Sequence, residues 1–183
     1  GKNGSTVTTA AVKLARAYTG RDLVAFPHDH PFYSYDDWFI GQTACNRGVP
    51  SATQALSLTY QGEDLASLQA LLEAHPGQIA CVISEPARYN SLPEPELRAY
   101  FQAAIELCHA HGALYINDEM VSGYKAGFPG YMPAQGLVPD MSTWGKGIAN
   151  GFSFCALTGK AEVMELGGIR NEGAEKVFLI SST

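Results

Sequence analysis

Two uninterrupted apolar runs constrain the fold of this chain most strongly. Residues 79–83 (IACVI) and 113–116 (ALYI) carry no charged side chain, which is typical of strands that are buried on both faces of a sheet. A long helix is predicted between them at residues 95–111, because a proline lies near its first turn and Gly112 lies just past its end. Strand, helix and second buried strand together indicate a parallel crossover, and therefore an α/β fold.

The rest of the chain continues this alternation. The predicted elements are helices at residues 6–18 and 65–75 and strands at residues 23–26, 141–144 and 152–157. Asp64 is placed to cap the second of these helices. We expect a mostly parallel sheet that binds its ligand at the carboxyl ends of the strands. Residues 27–60 show little periodicity and many aromatic side chains, so this segment is predicted to be a long functional loop.

Composition excludes several classes of protein. The net charge of −6 argues against nucleic acid as a partner, because phosphate backbones bind basic surfaces. No apolar run is long enough to span a bilayer, so no membrane association is expected. Four widely spaced cysteines, which form no CxxC pair, indicate buried thiols in a reducing, cytoplasmic compartment. We interpret residues 1–183 as one domain, and as a piece of a longer protein, because strand-like residues 177–180 lie directly at its end.

Two polar residues that follow strand-like runs suggest chemistry. Asp118 follows the run at residues 113–116, and Lys146 lies in a glycine-rich segment after residues 141–144. A buried aspartate can keep a pyridine nitrogen protonated, and a lysine can form a Schiff base with a carbonyl cofactor. A buried carboxylate also needs a cationic partner. The alternatives are a capping role for Asp118 and a solvated lysine at position 146.

An anion site is predicted where the first helix begins. Residues 3–6 (NGST) open this helix, and the free N–H groups and the positive helix end there attract negative charge. Gly4 allows close approach and Ser5 adds a hydroxyl group. The alternative is that Ser5 or Thr6 only caps the helix.

The histidines do not indicate a metal. Adjacent side chains diverge in most backbones, so His28 and His30 are poorly placed to share an ion, and no further His or Cys pair lies at ligand spacing. We therefore predict no metal site. His75, His109 and His111 fall at predicted helix ends, where the helix dipole accounts for a cation.

Several motifs in order resemble the class III aminotransferases that depend on pyridoxal 5′-phosphate (PLP), and in particular the glutamate-1-semialdehyde 2,1-aminomutases. The motifs are Gly4-Ser5 before a helix ending LARAYTGRD, SEP at residues 84–86, NDEMVSGY at residues 117–124, Pro139-Asp140, and WGK at residues 144–146. Residues 152–164 fit the next strand and helix of the family. The resemblance implies the PLP-dependent transferase fold (fold type I, aspartate aminotransferase-like), here as a partial large domain without the N-terminal segment and the C-terminal small domain.

The resemblance also implies roles for individual residues. The catalytic pair is Lys146, as the Schiff-base lysine, and Asp118, as the partner of the pyridine nitrogen. The implied cofactor-binding residues are Gly4, Ser5, Phe32, Asn90, Asp118, Met120, Lys146 and Thr183. Gly4 and Ser5 correspond to phosphate ligands, and Met120 would lie under one face of the ring. The ring-stacking aromatic falls on Phe32, with His30 as the alternative.

The function implied is amino-group transfer between small amino and carbonyl compounds, either between molecules or within one. Family members form homodimers, in which the residue matching Thr183 reaches the neighbouring subunit's phosphate. The apolar segment at residues 27–60 also favours cover by a symmetric partner. Two alternatives stay open: a non-catalytic or incomplete fragment that keeps the fold, and a nucleotide-binding α/β domain. The second lacks the GxGxxG and Walker patterns.

Overall fold

A six-stranded sheet forms the centre of the computed structural model, which describes residues 1–29, 32–86 and 92–178. Its strands are β1 (Leu23–Pro27), β2 (Ser57–Tyr60), β3 (Ile79–Ser84), β4 (Leu114–Asp118), β5 (Met141–Trp144) and β6 (Ala156–Gly159). Their order across the sheet is β2-β1-β3-β4-β5-β6. The first five strands are parallel, and β6 alone among these strands runs antiparallel, beside β5. The predicted α/β class with a mostly parallel sheet is confirmed.

Helices connect the strands. They are α1 (Gly4–Thr19), α2 (Asp37–Ile40), α3 (Ser51–Gln54), α4 (Leu65–Ala74), α5 (Glu96–Ala110), α6 (Tyr131–Ala134) and α7 (Ala161–Met164). Short 3₁₀ turns occupy Lys146–Ala149 and Glu165–Gly167. The predicted cap of α4 is confirmed, since the Asp64 side chain accepts a hydrogen bond from the Ser67 N–H. None of the helices in the described ranges has the length and apolar character that a bilayer crossing requires.

The core lies on both faces of the sheet. On one face α4 and α5 pack against the strands, with Tyr115 and Phe101 fully buried between them. On the other face α1 packs through Leu14 against Ile116 and Phe26. Because both faces are covered, β3 is buried along its whole length, as its apolar sequence predicts. The two layers leave the strand ends as the place where polar side chains can meet.

Two predictions about the sheet were wrong. The segment at residues 27–60 is not a continuous loop, because it contains α2, α3 and the edge strand β2, which pairs in parallel with β1. A strand of four residues at the edge of a sheet needs little apolar sequence, and only Ser57 and Tyr60 of β2 are buried. The last strand begins at Ala156 rather than at residue 152, because residues 151–153 turn and the backbone of Cys155 pairs with Gly1 instead.

Candidate active site

One pocket of about 650 Å³ lies at the edge where β1, β4 and β5 end. It is lined by Asn3, Gly4, Ser5, Thr6, Phe32, Tyr33, Tyr35, Asp36, Met120, Lys146 and Cys155. These residues come from the start of α1, the segment after β1, the turn after β4 and the turn after β5. The pocket thus brings together sequence-predicted residues from four parts of the chain: Gly4 and Ser5, Phe32, Met120, and Lys146. Asp118 is not among the residues that line it.

The start of α1 forms one wall of the pocket. Neither Ser5 nor Thr6 caps this helix, because the cap is Asn3, whose side chain accepts a hydrogen bond from the Thr6 N–H at 3.0 Å. The first N–H groups of a helix have no acceptor within the helix, so those of Gly4 and Ser5 are suited to bind an anion. The Ser5 hydroxyl accepts a hydrogen bond from the Tyr35 N–H at 2.9 Å, which ties this wall to the next one.

The segment after β1 forms the aromatic wall. Phe32 lines the pocket and is 55% exposed, and its ring meets Phe39 edge-on with centroids 5.8 Å apart. An exposed aromatic face beside an anion-binding helix end is suited to stack on a flat ring that carries a phosphate. His30, the alternative stacking residue, lies outside the described residues.

Asp118 ends β4 and is 2% exposed. Its Oδ1 accepts hydrogen bonds from the Met120 N–H at 2.9 Å and the Thr143 hydroxyl at 3.0 Å. Its Oδ2 accepts none from the described residues, and no ion pair to Asp118 occurs among them either. The expected cationic partner is thus not a side chain of the described part of the chain.

Burial raises the pKa of Asp118 to about 7. The hydrogen bonds from Met120 and Thr143 and the positive charge of Lys146 lower this pKa, and the nearby Glu85 carboxylate raises it. Removal from water dominates because a carboxylate without a cation is costly to keep ionised in the interior. A protonated ring nitrogen placed at Oδ2 would supply that missing cation.

Lys146 follows β5 and is exposed on the pocket wall. It begins a 3₁₀ turn with φ of +45°, a left-handed conformation that is uncommon for a residue with a side chain. Asn150 ends this turn in the same conformation. The lysine is therefore held at an abrupt change of chain direction, and it lines the same cavity as the start of α1.

The Met120 side chain lies between the start of α1 and the turn at Lys146. A Cβ atom at Gly4 would lie 3.3 Å from the Met120 sulfur, and one at Gly145 would lie 2.4 Å from it. A side chain at position 145 would therefore force Met120 and Cys155 to shift, although the backbone there is extended and suits any residue. The absence of a Cβ at both positions lets the lysine turn and the start of α1 close onto one thioether.

Some sequence-predicted residues remain untested or have other roles. Asn90 and Thr183 lie outside the described residues. The Nδ1 atom of His28 lies 3.2 Å from the Tyr60 carbonyl oxygen, and no group of ligand-type side chains in the described ranges could hold a metal. The helix dipole is an incomplete explanation of His109, because its Nε2 lies 2.8 Å from a carboxylate oxygen of Asp140.

Sequence reasoning missed Glu119. This side chain is completely buried next to Asp118 and accepts hydrogen bonds from Asn117, Ser122, Tyr131 and Met132. The signal that pointed to Asp118, a carboxylate directly after a buried strand, applied equally to Glu119. What the sequence hides is that three of its four donors come from residues 122–132.

Known proteins resemble this chain along most of its length. A 3-aminobutyryl-CoA aminotransferase from Cloacimonas acidaminovorans is 33% identical over 186 aligned positions, which cover 99% of this chain and 41% of that protein. A glutamate-1-semialdehyde 2,1-aminomutase from Citrifermentans bemidjiense is also 33% identical, over 93% of this chain and 43% of that protein. The chain thus spans about two fifths of the length of these relatives.

A solved structure described as a transaminase with PLP bound has the same fold. It superimposes with a TM-score of 0.86 at 26% identity, over 99% of this chain and 44% of that one. The residues present fit this cofactor: a helix start suited to an anion, an exposed ring at Phe32 and a lysine line one pocket, and a buried carboxylate with one oxygen lacking a described donor lies behind Met120. Pyridoxal 5′-phosphate is the cofactor of this fold.

The family comparison agrees with the fold and with the pocket. Residues 2–174 match the sequence profile of the class III aminotransferases. The match includes β1 to β6 and every described residue that lines the pocket. The chain belongs to the aminotransferase class-III family.

Proposed function

We propose that this chain is the PLP-binding large domain, in part, of an enzyme that transfers amino groups. One observation carries the proposal: Lys146 lines the pocket, and its charge lowers the pKa of Asp118, a buried carboxylate that keeps one oxygen without a donor among the described residues. The substrates are small amino and carbonyl compounds. The two relatives at equal identity are an aminotransferase and an aminomutase, so the proposal covers transfer both between molecules and within one.

Asp118 and Lys146 divide the proton chemistry. When bound, PLP supplies the electron sink that stabilises negative charge on a substrate carbon. Asp118 Oδ2 would hold a proton on the ring nitrogen, which is the cation that this buried carboxylate otherwise lacks. Lys146 Nζ would bind the aldehyde carbon and, once a substrate amine displaces it, would move a proton between substrate atoms as a general acid and base. Its place on the pocket wall fits both roles.

The other residues would hold and orient the cofactor. The N–H groups of Gly4 and Ser5 would bind the phosphate at the positive end of α1. Phe32 would stack on one face of the ring and Met120 would lie under the other, consistent with their places in the pocket. By resemblance to the family, Asn90 would lie near the ring hydroxyl group.

We further propose a cytoplasmic homodimer in which Thr183 reaches the partner's phosphate. One feature supports this assembly: large aromatic side chains near the pocket are exposed, among them Phe32 and Tyr35, and such surfaces are usually covered by a partner. All four cysteines are free thiols, which suits a reducing compartment.

Borohydride labelling tests the proposed function. PLP added to the full-length protein should give a visible absorption band, and reduction followed by peptide mapping should find a pyridoxyl group on Lys146. Lys146→Ala should lose both the band and the label, and at least about 10³-fold in kcat, because it removes the attachment point and the proton carrier together. Lys13→Ala is the matched control, since Lys13 is an exposed lysine on the same domain. Labelling of another lysine, or no label, would contradict the proposal.

A further inference from the structure

Glu119 is a buried carboxylate that does not line the pocket. Its relative exposure is 0%. Oε1 accepts hydrogen bonds from the Asn117 side-chain amide at 2.9 Å and the Met132 N–H at 3.0 Å. Oε2 accepts hydrogen bonds from the Tyr131 N–H at 3.1 Å and the Ser122 hydroxyl. Each oxygen thus has two donors.

These four partners require a carboxylate and not an amide. Two are backbone N–H groups and one is a side-chain NH₂, none of which can accept a hydrogen bond. A glutamine at position 119 would place its own NH₂ group against at least one backbone N–H, whichever way it turned. A buried donor facing a donor loses one hydrogen bond and leaves two groups unsatisfied. The site therefore distinguishes Glu from Gln although the two have nearly the same shape.

The hydrogen bonds of Glu119 fix the backbone on both sides of it. Its N–H donates to the Thr143 carbonyl oxygen at 2.8 Å, on the strand that leads to Lys146. Its side chain fastens the start of α6 to the end of β4. Gly130 lies so close that a Cβ there would be 2.6 Å from the Glu119 carboxyl carbon. The chain from 119 to 132 is therefore folded around this one side chain.

The two neighbours of Glu119 in sequence are the residues that would touch the cofactor. The Met120 N–H donates to Asp118 Oδ1, so the direction of the Asp118 carboxylate depends on the backbone at position 120. A shift of residues 119–120 would move the acceptor for the ring nitrogen and the thioether under the ring together.

We propose that Glu119 is a positioning residue, which orients Asp118 toward the ring nitrogen by holding the turn from 119 to 132. The inference rests on the proposed function, since it presumes a cofactor at Asp118. It assigns Glu119 no contact with substrate or cofactor. Glu119 sets the geometry through which Asp118 acts.

The test is a pH titration of the visible band of PLP bound to Lys146. A proton that Asp118 keeps on the ring nitrogen should lower the pH at which the band changes, because two nearby positive charges repel. Glu119→Gln should therefore raise the midpoint of the band by about one pH unit. Ser122→Ala is the matched control: it removes one of the four donors but leaves the backbone donors in place, and its midpoint should shift far less.

A purely structural role predicts a different pattern. Ile105→Val, at a buried position on α5, lowers stability and leaves the hydrogen bonds of Glu119 in place, so it shows what destabilisation alone does to the band. If Glu119→Gln melts at a lower temperature but titrates as the wild type does, the inference is wrong. If the wild-type protein itself forms no band with PLP, the proposed function fails instead.

A second variant covers the case in which Glu119→Gln does not fold. Gly130→Ala leaves the carboxylate intact but places a methyl group against it. Position 130 has an extended backbone that accepts alanine, so the change displaces the Glu119 carboxylate without backbone strain. It should raise the midpoint in the same direction, and an unchanged midpoint in folded Gly130→Ala would overturn the inference.

Discussion

Two aspartates buried on neighbouring strands of one sheet have opposite surroundings. Asp118 ends β4 at the pocket edge, and Asp140 precedes β5 at the other edge; each is 2% exposed. Asp140 receives the Lys160 amine at 2.7 Å, the His109 ring at 2.8 Å and the Tyr115 N–H at 2.7 Å. Asp118 receives two neutral donors, both on one oxygen.

The electrostatics of the two carboxyl groups differ accordingly. Burial raises the pKa of Asp140, but the hydrogen bonds from Lys160, Tyr115 and His109 outweigh it and hold that pKa below its ordinary value. Burial wins at Asp118, where the pKa rises to about 7. At the edge where Asp140 lies, the carboxylate already has its charged partners. At the pocket edge, the Asp118 carboxylate is unfavourable when ionised, and a bound cation would stabilise it. Such unrelieved charge is typical of functional sites.

The largest expected effect is on the pH dependence of stability without cofactor. The Asp118 pKa is about 7 in the folded protein and near 3.8 in the unfolded chain, so the folded state binds the extra proton between these values. This carboxyl group should therefore lower the free energy of unfolding by about 4 kcal/mol as the pH rises from about 4 to 7. Asp118→Asn keeps the accepting oxygen and removes that dependence. Urea unfolding of both proteins across this range measures it, and parallel curves would contradict it.

The same substitution should be costly once the cofactor is bound. An asparagine NH₂ in place of Oδ2 cannot accept a proton from the ring nitrogen, and a charge-assisted hydrogen bond contributes about 1.5–3 kcal/mol. We therefore expect kcat to fall roughly 10- to 150-fold in Asp118→Asn with PLP still bound. Steady-state kinetics at saturating cofactor measure this loss. Near-wild-type turnover would reduce Asp118 to a cap on the turn at Met120.

Asp140→Asn should show the reverse pattern. An amide would face at least one of the donors at Asp140, so the free energy of unfolding at pH 7 should fall by about 2 kcal/mol. Turnover per folded molecule should not change, because the pocket lies at the other edge. Since the pKa of Asp140 is lowered, its contribution is present above about pH 4 and is lost as the pH falls through the folded pKa. Wild type and variant should therefore converge in acid, and a gap that persists there would refute the pairing.

The smallest effect is expected at His109, whose side chain is 39% exposed. His109→Ala removes one of three donors from Asp140, and solvent screens the pair, so the loss should be at most about 1 kcal/mol. His75→Ala is the control, because His75 also lies at a helix end but makes no side-chain hydrogen bond among the described residues. Thermal unfolding of both variants at pH 6 compares them. Equal losses would mean that the helix dipole alone explains His109.

The contrast between the two edges also explains what the sequence could predict. Asp118 and Lys146 were predicted because each comes at or just after the end of a strand-like run that is visible in the sequence. The partners of Asp140 were not, because His109 and Lys160 lie 31 and 20 residues away. The periodicity of apolar residues predicts where helices and strands lie. It does not show which side chains of different helices and strands contact each other.

The direction of β6 and the existence of β2 were missed for a related reason. β2 is the outer strand beside β1, and its pairing is made by the backbone rather than by its polar sequence. β6 runs antiparallel because the connection at residues 145–155, which carries Lys146, returns the chain beside β5. Both features depend on hydrogen-bond pairing with a neighbouring strand, and the local sequence does not show this pairing.

The packing around Met120 has a consequence for how this site changes in evolution. Gly4 and Gly145 are far apart in the sequence, yet a Cβ atom at either position would lie close to the same Met120 sulfur atom. A side chain at position 145 would displace the Met120 side chain and the Cys155 sulfur, and a smaller residue at 120 would leave a gap beside Gly4. The effects of substitutions at positions 4, 120 and 145 should therefore be coupled and not additive.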